Sequence, residues 1–117
     1  MVAGYVPNAG DIIKADFSQE QAGHEQSGWR PALVLSPLSY NRSAGLILIA
    51  AITNQIKGYP FEVNLPVGLK IGGAILTDAI RSIDWRARKV RFCDRVPSGI
   101  MKPVQARLAA LLGLPRP

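Results

Sequence analysis

An arginine stands at the junction between a polar segment and an apolar one. Residues 18–29 are rich in polar side chains and glycine, which predicts a solvated loop. Residues 31–36 form an apolar run, which predicts a buried strand. Arg30 lies between them and carries a permanent charge, and its planar guanidinium can hold a phosphate through two hydrogen bonds. The junction therefore predicts a phosphate-binding group at a strand end, beside a loop.

The chain offers few groups for other kinds of chemistry. It contains one histidine, His24, and one cysteine, Cys93, so it lacks the set of soft ligands that zinc requires. A single cysteine cannot form an intramolecular disulfide, which favours a reducing cytosol. Cys93 lies in a strand-like run, and we interpret it as a packing residue. We expect neither a metal nor another cofactor.

The net charge of +6 is concentrated after the polar loop and is densest in a basic run between Arg81 and Arg95. Residues 1–28 hold one basic and four acidic side chains, a balance of −3, whereas residues 29–117 hold thirteen basic and four acidic ones, a balance of +9. Such a basic region attracts phosphate polyanions through counterion release. A solvated edge strand protected by charge would look the same. The charge alone leaves both interpretations open.

Short strands dominate the pattern. Ile13, Ala15 and Phe17 alternate with polar residues and predict a first strand that opens at residues 10–11. Further strands are predicted at residues 31–36, 46–53, 61–65, 74–78, 80–84 and 88–93, with a turn at 39–45. Strands of this length and spacing, without long helices between them, indicate an antiparallel sheet curled into a small barrel.

A helix is expected at the end of a single domain, residues 1–117. Val104, Leu108, Leu111 and Leu112 recur at helical spacing, and Gly113 marks the stop. Pro103 belongs in a first helical turn, so the pattern leaves the start of this helix open. No apolar run reaches the ~20 residues of a membrane span, and the N-terminus lacks the layout of a signal peptide. We therefore expect a cytoplasmic protein.

Several motifs, taken in order, resemble one known family. The matching stretches are Gly10-Asp11-Ile12, Asp16-Phe17, His24-Glu25-Gln26, Arg30-Pro31-Ala32-Leu33-Val34-Leu35-Ser36-Pro37, Tyr40-Asn41, Thr53-Asn54-Gln55, Lys57-Gly58-Tyr59-Pro60-Phe61-Glu62-Val63 and Ile80-Arg81-Ser82-Ile83-Asp84-Trp85-Arg86-Ala87-Arg88. Together they cover nearly the whole chain, and they resemble the MazF/PemK/Kid family of toxins from bacterial toxin–antitoxin modules. Trp29 and Pro103 depart from the family pattern.

The resemblance implies a fold and an activity. The fold would be mainly β, a twisted antiparallel sheet of SH3-like barrel type closed by a C-terminal helix, assembled as a homodimer. The activity would be that of a metal-independent endoribonuclease that cuts single-stranded mRNA at short sequences. In such cleavage the 2′-OH attacks the phosphate and leaves a 2′,3′-cyclic phosphate and a 5′-OH. A cognate antitoxin would restrain the enzyme.

The resemblance also assigns catalytic residues. Arg30 matches the family's catalytic arginine, which would stabilise the charge that builds on phosphorus. Thr53 matches the catalytic threonine, whose hydroxyl can donate to a phosphate oxygen. Glu25 aligns with a loop glutamate that would act as the base or orient the 2′-OH. His24, with a suitable intrinsic pKa, is an alternative base.

A second group of residues is proposed to bind the RNA. Bases are read best when they are splayed from a single strand, stacked on aromatic rings and bonded along their edges. The candidates for these contacts and for phosphate contacts are Phe17, His24, Gln26, Trp29, Asn54, Gln55, Lys57 and Asp78. Phe17 could equally be a core residue. Trp85 could stack a base, although packing is the better interpretation.

Two other functions compete with the ribonuclease. The same fold class includes CcdB-like toxins that poison DNA gyrase by binding it without enzymatic activity, and a small barrel can also bind nucleic acid without catalysis. The pairing of Arg30 with Thr53 and the basic second part of the chain favour the ribonuclease, because a gyrase binder needs no phosphate clamp.

Overall fold

The architecture is one twisted antiparallel sheet with two helices, seen in a computed structural model that describes residues 4–18 and 28–115. The elements are β1 (Asp11–Asp16), β2 (Trp29–Val34), α1 (Leu38–Ala44), β3 (Leu46–Thr53), β4 (Glu62–Asn64), β5 (Ala74–Asp84), β6 (Arg91–Arg95) and α2 (Ser98–Leu112). Within the described residues the sheet runs in the order β4-β5-β3-β2-β1-β6. The prediction of a mainly β fold with a C-terminal helix is confirmed.

Both faces of the sheet bury apolar side chains, because neighbouring strand residues point to opposite sides. One side, here called the helix face, packs Ile12, Leu33 and Ile75 against Val104 of α2. The other side carries Ile13, Val34, Ile49 and Ile83 at its centre. Arg30 and Arg81 belong to this second side, because they pair with Ala15 and Ile49 across the ladders. We call it the arginine face.

Residues 38–44 form a helix, so the predicted turn at 39–45 is wrong. One of the turn-forming side chains there, that of Asn41, makes buried polar contacts instead. Asn41 is fully buried, and its Nδ2 donates to the carbonyl oxygens of Pro7 (2.7 Å) and Ser36 (2.9 Å). The backbone carbonyl of Asn41 accepts a hydrogen bond from Trp85 Nε1 at 2.9 Å. The helix thus ties three segments together, and Trp85 is a packing residue, as interpreted.

Two predicted strands, 74–78 and 80–84, are one continuous strand, β5. The gap between the two predicted strands lies where the pairing of β5 with β3 changes register, between Ala50 and Ile52 of β3. The last strand begins at Arg91 and not at residue 88, because residues 85–89 form a turn in which Lys89 takes a left-handed conformation with φ 53°.

The C-terminal helix begins at Ser98, so Pro103 lies inside it, beyond the first turn. Val104 is fully buried and Ala109 nearly so, and Leu108 packs against the same core. Gly113 ends the helix in a left-handed conformation with φ 70°, as the sequence predicts. Among the described residues, no helix has the length and apolar character needed to cross a membrane.

Candidate active site

A pocket of about 340 Å³ opens on the arginine face. Its floor is made of small side chains, Ala32, Ala51 and Ala79, where larger apolar residues would fill the space. Arg30 and Arg81 also line it. The arrangement leaves an open cleft with apolar walls and cationic side chains, which suits a ligand that carries both an aromatic base and a phosphate.

Arg30 and Thr53 lie on this face, in two neighbouring strands. Ala32 of β2 pairs with Ala51 of β3. The ladder ends at this pair, with Arg30 two residues before Ala32 and Thr53 two residues after Ala51. Because alternate residues share a face, the exposed side chain of Arg30 and the half-buried side chain of Thr53 are on the same side of the sheet. The two sequence-predicted groups therefore lie beyond the same end of the β2–β3 ladder.

The hydroxyl of Thr53 is oriented by its own loop. The backbone N–H of Gln55 donates to Thr53 Oγ1 at 3.1 Å. Because this bond occupies a lone pair, the hydroxyl proton stays available for donation to an anion.

Gly73 fixes the backbone beneath Thr53. A Cβ placed on Gly73 would lie 2.0 Å from the carbonyl oxygen of Thr53, and its φ is +114°. Only glycine tolerates both conditions. Gly73 was not among the predicted site residues. Its position in a glycine-rich segment, residues 68–73, is the only feature of the sequence that indicates its role.

Phe17 is a buried residue at the rim of the same pocket, 9% exposed. The guanidinium carbons of Arg81 and Arg88 each lie 4.9 Å from the centre of its ring, a cation–π distance. Phe17 therefore helps to place two cations beside Arg30. Arg81 was counted in the sequence only as one member of a basic run.

The residues that flank the polar loop, Phe17 and Gly28, are joined by a backbone hydrogen bond. Phe17 N–H donates to Gly28 O at 2.7 Å, and a Cβ on Gly28 would lie 2.2 Å from Ser18 N. Gly28 is therefore required for the two ends of the loop to approach each other. The candidate residues Glu25, His24 and Gln26 lie outside the described residues.

Trp29 precedes Arg30 in β2 and is half-buried. The guanidinium carbon of Arg91 lies 4.6 Å from the centre of its ring. In the alternation of the strand, Trp29 points to the side opposite Arg30. The structure thus keeps Trp29 next to Arg30 along the chain but on the other face of the sheet.

The loop after Thr53 carries three of the RNA-binding candidates, Asn54, Gln55 and Lys57, all exposed. Its shape depends on Glu62, which is 8% exposed. The Glu62 carboxylate accepts hydrogen bonds from the backbone N–H groups of Lys57 (3.1 Å) and Gly58 (2.7 Å). Sequence alternation did not reveal this buried acid, which holds the loop in place.

Asp78, the remaining candidate, is exposed on β5. It accepts a hydrogen bond from the Tyr59 hydroxyl at 2.7 Å, and this bond raises the pKa of Tyr59. Near the polar loop, hydrogen bonding from Ser18 lowers the pKa of Asp16, so this carboxylate stays charged at the rim. Among residues 4–18 and 28–115, no three histidine, cysteine, aspartate or glutamate side chains group together as a metal site.

Comparison with known proteins places the chain in a family. Residues 8–112 match the model of the PemK-like, MazF-like toxin of type II toxin–antitoxin systems. The chain is 43% identical to the endoribonuclease toxin MazF of Escherichia coli K12 over 113 residues, which are 97% of this chain and all of that protein.

Solved structures agree with this placement. The crystal structure of MazE–MazF from Deinococcus radiodurans superposes with a TM-score of 0.85 at 40% identity, covering 95% of this chain and 99% of the matched one. MazF alone from the same organism gives a TM-score of 0.83 at 46% identity, covering 94% and 99%. The chain belongs to the PemK-like, MazF-like family of toxins of type II toxin–antitoxin systems.

Proposed function

We propose that this chain, an endoribonuclease of the MazF type, cuts single-stranded RNA at a phosphate bound between Arg30 and Thr53, without a metal. The 2′-oxygen attacks phosphorus and forms the 2′,3′-cyclic phosphate while the bond from phosphorus to the 5′-oxygen breaks. A base takes the proton of the 2′-OH, and the 5′-oxygen takes a proton from a water molecule and leaves as a 5′-OH. The observation that carries the proposal is that Arg30 lines an open cleft near the end of β3, where Thr53 lies.

Arg30 acts by charge and not by proton transfer. The guanidinium pKa exceeds ~12, so donating a proton to the leaving oxygen is unfavourable near neutral pH. Its planar donors instead match two phosphate oxygens and stabilise the negative charge that develops on them.

Thr53 supplies a neutral donor to the same phosphate. Because Gln55 N–H holds its oxygen at 3.1 Å, the hydroxyl need not be reoriented during the reaction. This pre-set geometry favours the transition state over the free substrate.

The base comes from the polar loop. Glu25 is our first assignment, because it aligns with the loop glutamate of the family, and His24 is the alternative. Gln26, in the same loop, is assigned to RNA binding. A carboxylate or an imidazole can each accept the proton of the 2′-OH.

Binding of the RNA rests on the cationic side chains and on the exposed residues Asn54, Gln55, Lys57 and Asp78. Phe17 is buried beneath Arg81 and Arg88, so it positions these cations and presents no open ring to a base, and Trp29 lies on the other face of the sheet. Arg30 and Arg81 line the cleft, and Arg88 lies over Phe17 beside it. Cations set along a groove attract the RNA backbone whatever its sequence. The exposed amides of Asn54 and Gln55 and the carboxylate of Asp78 can bond base edges and give sequence preference.

The enzyme acts as a cytoplasmic homodimer restrained by an antitoxin. The relative from D. radiodurans was crystallised with MazE, which supports an antitoxin partner for this chain. The +9 balance of residues 29–117 suits an acidic, flexible inhibitor. The gyrase alternative has no support, since the relatives reported above are named endoribonucleases.

The test is incubation of the purified protein with a long single-stranded RNA in EDTA. We expect discrete fragments that end in a cyclic phosphate and begin with a 5′-OH. An unbroken RNA with a mobility shift would identify a nucleic-acid binder without catalysis. RNA left both uncut and unbound would contradict the proposal altogether.

A further inference from the structure

Two buried carboxylates occur among residues 4–18 and 28–115, and the fold uses them differently. Asp11, which is 5% exposed, forms an ion pair with Arg95 at 2.6 Å. Glu62, which is 8% exposed, accepts hydrogen bonds from backbone N–H groups of the loop that follows Thr53. Burying a carboxylate is costly unless its oxygens are hydrogen-bonded. The proposed reaction assigns no step to Glu62, so this buried acid calls for another role.

Glu62 lies on the same face of the sheet as Thr53. Ile52 of β3 pairs with Ile75 of β5, which pairs in turn with Val63 of β4. All three of these apolar residues pack in the core of the helix face. Neighbouring residues of a strand point to opposite sides. Glu62 and Thr53, each next to one of the three, therefore belong to the arginine face.

Both carboxylate oxygens of Glu62 are engaged by the loop. Oε1 accepts a hydrogen bond from Gly58 N–H at 2.7 Å, and Lys57 N–H lies 3.2 Å from Oε1 and 3.1 Å from Oε2. Hydrogen bonds to a carboxylate are stronger than those between neutral groups. Gly58 has a φ of +80°, a conformation that glycine adopts without strain. The backbone of the loop is thus fixed at two consecutive residues.

The next part of the loop is held by the C-terminal helix. Arg107 Nε of α2 donates to the carbonyl oxygen of Pro60 at 2.9 Å. The backbone N–H of Glu62 donates to the carbonyl oxygen of Tyr59 at 3.1 Å. Residues 57–60 therefore make hydrogen bonds at every position, and the loop is ordered before any RNA binds.

The same loop begins at Thr53. Gln55 N–H donates to Thr53 Oγ1 at 3.1 Å, and a single residue, Ile56, separates Gln55 from Lys57. Because the connection is so short, a shift in the backbone of Lys57 also moves Gln55 and the hydroxyl that it holds. The exposed side chain of Asn54 is carried by the same segment.

We propose that Glu62 is a positioning residue for the catalytic loop, residues 53–58, and sets the Thr53 hydroxyl for the phosphate through the backbone of Lys57 and Gly58. The inference rests on the proposed function, because it takes Thr53 as a group that binds the phosphate. It requires no contact between Glu62 and the RNA. Loss of the carboxylate should therefore slow the chemical step more than it weakens RNA binding, which depends on the cations of the cleft.

The experiment compares Glu62→Gln with the wild type in single-turnover cleavage of an RNA that contains one mapped cut site. The amide keeps the size of the side chain but replaces one acceptor oxygen with an NH2 donor. We expect the rate at saturating RNA to fall about 10-fold, less than the ~100-fold that a misplacement of about 1 Å can cost. The RNA concentration that gives half the maximal rate should change by less than about twofold.

Asp94→Asn is the matched control for a loss of stability. The Asp94 carboxylate also accepts hydrogen bonds from two backbone N–H groups, those of Lys70 and Arg95, both at 2.8 Å. These bonds lie outside the catalytic loop. Asp94→Asn should lower the free energy of unfolding in urea and leave the cleavage rate per folded molecule unchanged.

A double-mutant cycle with Thr53→Val separates a positioning role from a purely structural one. If Glu62 acts through the Thr53 hydroxyl, Thr53→Val should cost at least about fivefold less in rate in the Glu62→Gln protein than in the wild type. A residue that only stabilised the fold would leave the cost of Thr53→Val the same in both proteins.

Gly58→Ala changes the same backbone without altering Glu62. A Cβ on Gly58 would meet no atom within 4 Å, so the effect would arise only from its φ of +80°, which alanine disfavours. We expect the rate to fall at least about threefold, again with a smaller cost of Thr53→Val. If Glu62→Gln did not fold, this variant would decide the matter.

A Glu62→Gln rate within about twofold of the wild type, or losses that simply multiply with those of Thr53→Val, would overturn the inference. If the wild type cuts RNA and Thr53→Val is slow, such a result would sink this inference alone. If Thr53→Val matched the wild type, the role proposed for Thr53 would fail, and the positioning role of Glu62 would fail with it.

Discussion

The two faces of one sheet have opposite uses. On the helix face, Ile12, Leu33 and Val104 are fully buried beneath α2. On the arginine face, three alanines leave a cleft open, and Arg30 and Arg81 line it. Neighbouring residues of one strand supply both, since Leu33 and Ala32 point to opposite sides. Large side chains thus provide stability on the helix face, and small side chains at the cleft of the arginine face leave room for a substrate.

We therefore expect two kinds of residue to be separable. Changes of Arg30 and Thr53 on the arginine face should reduce activity and largely spare folding, and changes of buried residues on the helix face should do the reverse. A change whose effects cross from one face to the other would show that the division is wrong.

The largest effect is expected for Arg30→Ala. Loss of one donor to a developing charge costs about 10²–10³-fold in rate, and Arg30 is exposed, so the unfolding free energy should hardly change. Rates are measured on a short RNA that contains one mapped cut site, with Arg42→Ala, an exposed arginine on α1, as control. If Arg30→Ala kept most of its activity, Arg30 would be removed from the mechanism.

The next largest effect is Leu33→Ala on the helix face. Leu33 is 0% exposed, and truncation of a buried leucine costs about 2–5 kcal/mol. Urea denaturation should show this loss, while the cleavage rate per folded molecule stays near that of the wild type. A fall in that rate as large as for Arg30→Ala would mean that the faces are not independent.

A smaller effect is expected for Thr53→Val. The substitution keeps the branched shape and removes only the hydroxyl, so we expect a rate about 10- to 100-fold lower, the size of one lost neutral donor to a charged phosphate. The unfolding free energy should fall by no more than about 1 kcal/mol, the size of the lost hydrogen bond from Gln55 N–H. Thr53→Ser, which keeps the hydroxyl, should recover most of the rate. Equal rates for wild type and Thr53→Val would make Thr53 an ordinary strand residue.

The smallest effect is expected for Tyr5, whose hydroxyl donates a hydrogen bond to Asp11 and so fixes the N-terminal segment against β1. Burial, together with the hydrogen bond to Asp11, raises the pKa of Tyr5 far above its usual value. Folding therefore favours the protonated phenol. The resulting stabilisation is fully present below the pKa of unfolded tyrosine, about 10, and it is lost as the pH rises above that value.

Tyr5→Phe should therefore be less stable than wild type at pH 7, by about 1 kcal/mol for one hydrogen bond. The difference should shrink as the pH is raised above about 10, when measured by denaturation at each pH. A gap that stayed constant with pH would show that the phenol does not titrate with folding. Cleavage at pH 7 should be unchanged.

Much of this architecture is visible in the sequence, because β2 and β3, buried on both faces, are continuous apolar runs, and β1 alternates apolar with polar residues. The positions of β1, β2 and β3 were predicted to within a few residues for this reason. The helix α1 was missed because residues 39–45 are turn-forming types, and the side chain of Asn41 makes buried hydrogen bonds within a helix instead.

The site was less predictable than the fold. Arg30 could be identified from its position between loop and strand, and Thr53 from family resemblance, but their placement on one face depends on a register that only the structure supplies. Gly73 and Glu62 act on backbone atoms of other residues, and no local pattern reports such contacts. Arg81 was hidden in a basic run, since charge alone does not tell which side of a strand a residue occupies.

The most direct test of the account is a double-mutant cycle between Arg30 and Thr53, measured as single-turnover cleavage of one RNA at a mapped site. If both groups act on one phosphate, the variant that carries Arg30→Ala and Thr53→Val should be scarcely slower than Arg30→Ala alone, because residues that act as a unit are not additive. Rate losses that simply multiply would contradict the claim and place the two side chains in separate roles.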